Sequence, residues 1–236
     1  WRSELETTGV MRNSFPLLAA GAATLLAVTL ASCNSSKTAA DRAEAPKGAT
    51  APKQEPPPVQ YKLSIETTKG PIIVEVQRQW SPRGADRFWE LATSGFFDES
   101  RFYRVIRGSI AQFGINKDPK VNAFWRGMAI PDDPPKLKNV KGTLAFAKIG
   151  PNSRSTQVFI NLRDNPELDR QHFVPFGKVL AGMDVAAQLY AKYGEISNRG
   201  GGGPDAVKAE TLGNSYLEGS FTQMDYIKRI DKLAMQ

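Results

Sequence analysis

The chain has 236 residues, of which 41% are hydrophobic and 23% charged, so most of it has the composition of a globular domain with a buried core. The formal net charge is +7, but the Lys and Arg residues are scattered without a dense basic run, which argues against a nucleic-acid partner. The single cysteine, Cys33, excludes an intrachain disulfide.

Residues 1–32 have the pattern of an export signal. Met11 and Arg12 precede an apolar stretch, residues 17–30, that is shorter than the roughly 20 residues a membrane-spanning helix needs. The sequence Leu-Ala-Ser-Cys at residues 30–33 resembles a bacterial lipobox, which implies cleavage before Cys33 and attachment of lipid to it. An uncleaved anchor helix, or a plain signal peptide followed by an unrelated cysteine, stays open as an alternative.

The two ends of this signal region refine the prediction. Residues 1–10 fit a signal peptide badly because they carry Glu4 and Glu6, so we expect a start at Met11 and interpret residues 1–10 as an upstream artefact. Asn34, and not an aspartate, follows the cysteine, which by resemblance to sorted lipoproteins favours the outer membrane. The expected location is therefore the periplasmic side of a bacterial membrane, with a lipid anchor in what we expect to be the outer membrane.

Residues 33–60 are predicted to be a lipidated cysteine followed by a disordered tether. The stretch is polar and rich in Ala, Pro, Lys and Glu, with almost nothing to bury. Three consecutive prolines at residues 56–58 are expected to stiffen its end. The folded domain is then expected over residues 61–236.

The folded domain has the pattern of many short strands with two isolated helices. A hairpin is predicted over residues 61–76, and Ser81 as N-cap with Pro82 at the first helical position starts a helix over 81–95. Further strands are expected at residues 101–106, 110–113, 143–147, 157–161, 174–180 and 224–233, a second helix at 181–194, and a flexible glycine-rich loop at 197–205. This order predicts a mostly β fold, a closed antiparallel barrel capped by two α-helices.

The inventory of reactive side chains excludes several kinds of site. His172 is the single histidine, which leaves Ser-His-Asp catalysis and histidine-based metal sites without their parts. Asp132 and Asp133 are adjacent carboxylates, but their position in a proline-punctuated loop argues against catalysis. By elimination, an enzyme built from this chain works through hydrogen bonds, shape and desolvation, without a metal or a cofactor.

Three polar side chains interrupt otherwise apolar strands. Arg104 alternates onto the same face as Phe102 and Ile106, and Gln112 and Gln157 repeat the pattern in later strands. Burying such groups is costly unless they have partners or a function. These positions are therefore the candidate functional residues.

Three segments, in this order, resemble the cyclophilins, a family of peptidyl-prolyl isomerases. They are Phe-Tyr-Arg-Val-Ile-Arg-Gly-Ser-Ile-Ala-Gln-Phe-Gly at residues 102–114, Leu-Ala-Phe-Ala-Lys-Ile-Gly-Pro-Asn-Ser-Arg-Ser-Thr-Gln-Val-Phe-Ile-Asn at 144–161, and Pro-Phe-Gly-Lys-Val-Leu-Ala-Gly-Met-Asp-Val-Ala-Ala-Gln-Leu at 175–189. The ending resembles a bacterial branch of the family with an extended C-terminus. The resemblance implies an eight-stranded cyclophilin-like barrel that accelerates X-Pro bond rotation and whose partners are proline-containing polypeptides. Together with the export signal, it predicts a monomeric enzyme that acts on exported proteins.

The resemblance also implies roles for individual residues. Arg104 is expected to be catalytic by donating a hydrogen bond to the prolyl nitrogen in the transition state, with Gln112 holding its guanidinium or the substrate carbonyl. The expected substrate-binding residues are Ile110, Phe113, Ala147, Gln157, Phe159, Leu168 and His172.

The chain departs from the family pattern at several site positions. Ser109 stands where an aromatic residue is usual, Phe113 where a glycine is usual, and Glu167 where a tryptophan is usual, while one extra residue before Phe176 affects the placement of His172. These departures leave open an alternative function, a weakly active or inactive binding or chaperone module of the same fold.

Overall fold

The computed structural model describes residues 56–234. The predicted signal region, Cys33 and most of the predicted tether therefore lie outside the described residues. Regular structure begins at Gln60, one residue before the predicted start of the domain. Within the described part, no helix is both long and apolar enough to cross a membrane.

A single antiparallel sheet of eight strands dominates the described part of the chain. The strands are β1 (Gln60–Thr67), β2 (Gly70–Gln77), β3 (Arg104–Ile106), β4 (Ile110–Phe113), β5 (Thr143–Phe146), β6 (Val158–Asn161), β7 (Pro175–Ala181) and β8 (Ile227–Leu233). Their order across the sheet is β3-β4-β6-β5-β7-β2-β1-β8. The predicted hairpin and every predicted strand are thus confirmed, with ends that shift by a few residues.

The prediction of a closed barrel is wrong, because β3 and β8 are edges that do not form a ladder with each other. The sheet curves into an open half-barrel, and across the gap one isolated bridge joins Arg101 to Tyr226. Strand β3 has only three residues. On the side away from β4, its central residue Val105 forms an isolated bridge with Gly194. The C-terminal part of the chain therefore lies along the edge of β3, where β8 would pair in a closed barrel.

The prediction of two helices is also incomplete. The described residues contain α1 (Pro82–Thr93), α2 (Pro119–Arg126), α3 (Pro166–Arg170), α4 (Met183–Ala187), α5 (Ala206–Leu212) and α6 (Asn214–Ser220). Helix α1 matches its prediction, but the helix expected over residues 181–194 is only the five residues of α4. It is short because β7 continues to Ala181 and the backbone amide of Tyr190 turns away to donate to the Asp225 carboxylate at 2.7 Å.

The N-terminus of α1 is capped by a residue from another loop. Ser81 is the N-cap residue, but its hydroxyl makes no capping bond and instead donates to Asp133 at 2.5 Å. The Asp133 carboxylate accepts a hydrogen bond at 3.0 Å from the backbone amide of Gly84, which lies in the first turn and has no carbonyl partner within the helix. The same carboxylate pairs with the buried Arg154 at 3.0 Å. Burial alone would raise the pKa of Asp133, but hydrogen bonds from these partners outweigh it and lower the pKa. Asp133 is therefore structural.

The main core lies between α1 and the concave side of the sheet. Phe88 of α1 contacts Phe97 and Phe176, with ring centroids 5.6 and 4.9 Å apart. A second, smaller cluster contains Tyr103, Ile115 and Ile196 together with residues of α5 and α6. Through this second cluster the C-terminal residues 194–220, here called the C-terminal segment, pack beside β3.

Candidate active site

A cavity of about 840 Å³ opens beside strands β3, β4 and β6. Its walls come from these strands, from α2, α3 and α5, and from the loop that carries Ile149. The strand register places Arg104 opposite Gln112, and Gln112 opposite Phe159, so the three side chains form one row across the sheet. All three line the cavity.

The guanidinium of Arg104 has partners on two sides. Its Nη1 donates to Gln112 Oε1 at 2.9 Å, as expected for neighbours in the register. Its Nε and Nη2 donate to the two carboxylate oxygens of Glu195 at 2.6 and 2.7 Å, a two-point pairing typical of arginine. These bonds account for the cost of placing a cation in an apolar strand, since only 13% of the Arg104 side chain is exposed. The hydrogen bond from Arg104 is also the main cause that lowers the pKa of Glu195.

A chain of hydrogen bonds continues from Gln112 across the cavity wall. The amide nitrogen of Gln112 donates to the Tyr103 hydroxyl and, at 3.1 Å, to Gln157 Oε1. The Tyr103 hydroxyl donates to the same Gln157 oxygen at 2.5 Å, and Gln157 Nε2 donates to Glu210 of α5 at 2.6 Å. Burial raises the pKa of Tyr103 above its usual value, so its phenol keeps the proton it donates. These partners fix the orientation of both side-chain amides.

Beside this polar row lies an apolar cluster. Phe159, Ile110 and Ala145 are buried at its base, and Leu168 and Phe173 pack against them. The rings of Phe159 and Phe173 meet edge to face, with centroids 5.7 Å apart. The cluster and the guanidinium thus share one cavity, which suits a ligand with an apolar ring next to a hydrogen-bonding group.

The structure brings together most of the residues that the sequence predicted for the site. The catalytic candidates Arg104 and Gln112 are in contact, as described above. Five of the seven predicted substrate-binding residues line the same cavity, namely Ile110, Ala147, Gln157, Phe159 and Leu168. Their roles toward a substrate stay predictions.

Phe113 does not line the cavity. It is fully buried in the main core, where its ring contacts Phe97 and Phe102 at centroid distances of 5.3 and 5.4 Å. The reason is the alternation of β4, which points Ile110 and Gln112 into the cavity and Phe113 to the opposite face. The prediction of a substrate contact for Phe113 is therefore corrected.

His172 does not line the cavity either. It is exposed, with a left-handed backbone at φ 57°. The next residue, Phe173, turns inward after its backbone amide bonds to the Leu168 carbonyl at 3.0 Å. The extra residue in this stretch shifts the inward position by one, so Phe173 occupies the place that was predicted for His172.

Several site residues escaped the sequence analysis. Tyr103 precedes the first residue of β3, so strand alternation does not describe it. Glu195 and Glu210 come from the C-terminal segment, 91 and 53 residues away from the side chains they contact, and no local pattern links them. Ser109 and Glu167, noted as departures from the family pattern, both line the cavity.

Among the described residues, no group of three His, Cys, Asp or Glu side chains is arranged to hold a metal ion. The site therefore offers donors, acceptors and apolar surface from its own side chains. What this arrangement can do chemically is to hold a neutral ligand against the apolar cluster and direct N–H groups at it.

Comparison with known proteins agrees with this geometry. Residues 62–201 match the family described as cyclophilin type peptidyl-prolyl cis-trans isomerase/CLD. The Arabidopsis thaliana peptidyl-prolyl cis-trans isomerase CYP18-2 is 35% identical over 134 residues, which are 54% of this chain and 79% of the relative.

Solved structures show the same fold. A cyclophilin type isomerase of Cryptosporidium parvum matches with a TM-score of 0.55 and 22% identity, over 75% of this chain and 99% of that one. A cyclophilin from Hirschia baltica matches with a TM-score of 0.51 and 17% identity, over 75% of this chain and 74% of that one. With residues 62–201 matching the family and Arg104, Gln112 and Phe159 gathered in one cavity, the chain belongs to the cyclophilin-type peptidyl-prolyl cis-trans isomerases and is an enzyme of that class.

Proposed function

We propose that the chain accelerates rotation about X-Pro bonds by directing N–H groups of Arg104 at the prolyl nitrogen in the transition state. Amide resonance sets the barrier to this rotation at about 18–20 kcal/mol. When the bond twists, resonance is lost and the nitrogen gains a lone pair that accepts a hydrogen bond. The planar ground state offers that lone pair poorly, so the interaction favours the transition state selectively.

The observation that carries this proposal is the position of Arg104 at the edge of the apolar cluster. Phe159, Leu168 and Phe173 offer the surface on which a proline ring would lie, within the cavity that Arg104 also lines. Removing water around the ring strengthens any hydrogen bond made beside it. In this proposal, adjacent parts of one site bind the proline ring and stabilise the transition state.

Arg104 keeps donors for a substrate in spite of its partners. A guanidinium has five N–H groups. Within the described residues, Arg104 donates three hydrogen bonds, one from each nitrogen, to Glu195 and Gln112. One N–H on Nη1 and one on Nη2 therefore stay available.

The test is the activity of Arg104→Ala in a protease-coupled assay on an Ala-Pro peptide. We expect kcat/KM to fall by about a hundredfold, equivalent to about 2.7 kcal/mol, while peptide affinity falls much less. Arg107→Ala is a matched control, since Arg107 is an exposed arginine in the turn that follows β3. Turnover by Arg104→Ala at the wild-type rate would refute the mechanism.

We further propose that the enzyme belongs to a bacterial lipoprotein branch and acts as a monomer on exported proteins, held by lipid on Cys33 at the periplasmic side of what we infer to be the outer membrane. The support is the sequence Leu-Ala-Ser-Cys after an apolar stretch, followed by the polar residues 34–60. Metabolic labelling with a fatty acid tests the anchor. Label should be incorporated into the wild type and absent from Cys33→Ser, and label that survives the substitution would overturn the assignment.

A further inference from the structure

The glycine-rich stretch at residues 200–203 is folded around the backbone of Glu195. The amide of Gly203 donates to the Glu195 carbonyl at 2.8 Å, and the amide of Gly201 donates to the Ile196 carbonyl at 3.1 Å. Ile196 is itself buried in the second hydrophobic cluster, which also contains Tyr103. The loop over residues 197–205, which was predicted to be flexible, instead begins with a 3₁₀ turn, Ser197–Arg199, and closes on Glu195 by a backbone hydrogen bond from Gly203.

Two of these glycines have no room for a side chain. A Cβ atom at Gly201 would lie 2.0 Å from the Glu195 carbonyl oxygen, and one at Gly203 would lie 2.8 Å from it. A Cβ at Gly202 would meet nothing closer than the Tyr193 carbonyl oxygen at 3.8 Å, an ordinary contact. The tight glycines are thus those that face Glu195.

The Glu195 side chain is as well fixed as its backbone. Its Oε1 accepts from the Ile196 amide at 2.9 Å as well as from Arg104, and its Oε2 accepts from Arg104. Without Glu195, the described residues would hold the Arg104 guanidinium through the single bond to Gln112. One hydrogen bond leaves a planar group free to rotate, whereas contacts on two edges fix its plane and direction.

We propose that Glu195 is a positioning residue for the isomerisation, and that it fixes the Arg104 guanidinium so that its remaining N–H groups face the prolyl nitrogen. This inference rests on the proposed role of Arg104. Glu195 also weakens the positive field of Arg104, which by itself would slow the reaction. We propose that correct orientation outweighs this loss, because only an aligned N–H group can donate a hydrogen bond to the lone pair as it develops on the prolyl nitrogen.

The experiment measures kcat and KM for the full chain carrying Glu195→Ala, Arg104→Ala and both changes. We expect Glu195→Ala to lower kcat about tenfold with KM within twofold of the wild type. In the Arg104→Ala background, Glu195→Ala should change kcat by less than twofold, since its effect passes through Arg104. Glu195→Gln, which keeps the shape but only one of the two acceptor oxygens, should show a smaller loss of the same kind.

Glu218→Ala is the matched control. Glu218 is also a carboxylate of the C-terminal segment paired with an arginine, Arg101, but neither residue lines the cavity. It should leave kcat unchanged. A wild-type or faster kcat in both Glu195 variants, or an equal further loss in the Arg104→Ala background, would overturn the inference alone. Wild-type activity of Arg104→Ala would overturn the proposed mechanism and this inference with it.

Discussion

Replacing Gly201 by alanine should disturb the active site from outside the cavity. The new Cβ would start 2.0 Å from the Glu195 carbonyl oxygen, while real Cβ atoms essentially never approach closer than 3.0 Å. The two backbones must therefore separate by about 1 Å. The clash is with backbone, so no side-chain rotation relieves it.

The size of the effect follows from the Arg104 contacts. Glu195 accepts from Arg104 at 2.6 and 2.7 Å. A displacement of about 1 Å stretches both contacts to roughly 3.6 Å, beyond the range of a hydrogen bond. We therefore expect kcat to fall about tenfold, as for Glu195→Ala. Overpacking of the loop should also cost about 1–3 kcal/mol of stability, or roughly 2–4 °C in Tm for each kcal/mol.

The assay compares Gly201→Ala with Gly202→Ala by isomerase kinetics and thermal unfolding. Both substitutions add one methyl group to the same loop, but only the first meets Glu195. Gly202→Ala should keep the wild-type kcat and a Tm within about 1 °C, since its methyl group meets only the Tyr193 carbonyl oxygen at 3.8 Å, an ordinary contact. The reasoning fails if Gly201→Ala keeps the wild-type kcat, or if Gly202→Ala loses as much.

Asp133→Asn should destabilise the domain by about 3 kcal/mol in urea unfolding at neutral pH, because it leaves Arg154 buried without this carboxylate partner. Since its folded-state pKa is lowered, Asp133 stabilises the fold above its unfolded pKa of about 3.9, and this contribution disappears as pH falls through the folded pKa. The stability difference between Asp133→Asn and the wild type should therefore shrink below about pH 4, and a constant difference would contradict this. Phe173→Ala should lower kcat/KM on a proline peptide about fivefold or more, because it removes the ring that packs on Phe159, whereas His172→Ala should change it by less than twofold. Equal effects of the two substitutions would show that Phe173 is wrongly assigned as the residue that faces the cavity.

Strand positions and much of the active site could be predicted from the sequence, because both depend on patterns among neighbouring residues. Alternation of apolar residues marks strands, and a polar side chain on the apolar face of such a strand marks a position with a function. Arg104, Gln112 and Gln157 were found in this way, and the structure places all three at one cavity. The resemblance to a family then added the apolar residues beside them, of which Ile110, Phe159 and others line the same cavity.

Two features of the site and one of the surrounding fold depended on details that the strand pattern does not contain. The register with β3 and β6 sets which face of β4 meets the cavity, and alternation along β4 then puts the Phe113 ring on the other face, in the core. One extra residue in the loop before β7 exchanged the roles of His172 and Phe173. The cap of α1 comes from Asp133, 49 residues beyond Gly84. Each is decided by how distant segments meet.

The sequence by itself determined which strands form and that Arg104 is the cation of the site. Both follow from neighbouring residues, namely the alternation of apolar side chains and a charged side chain that interrupts it. Only the tertiary structure decided that the sheet stays open, that the C-terminal segment covers the edge of β3, and that Glu195 holds Arg104. The pairing of Arg104 with Glu195 spans 91 residues, and no periodic pattern connects them. It arises because the Val105 bridge to Gly194 and the burial of Ile196 bring the carboxylate to the guanidinium, and both contacts exist only once the chain has folded.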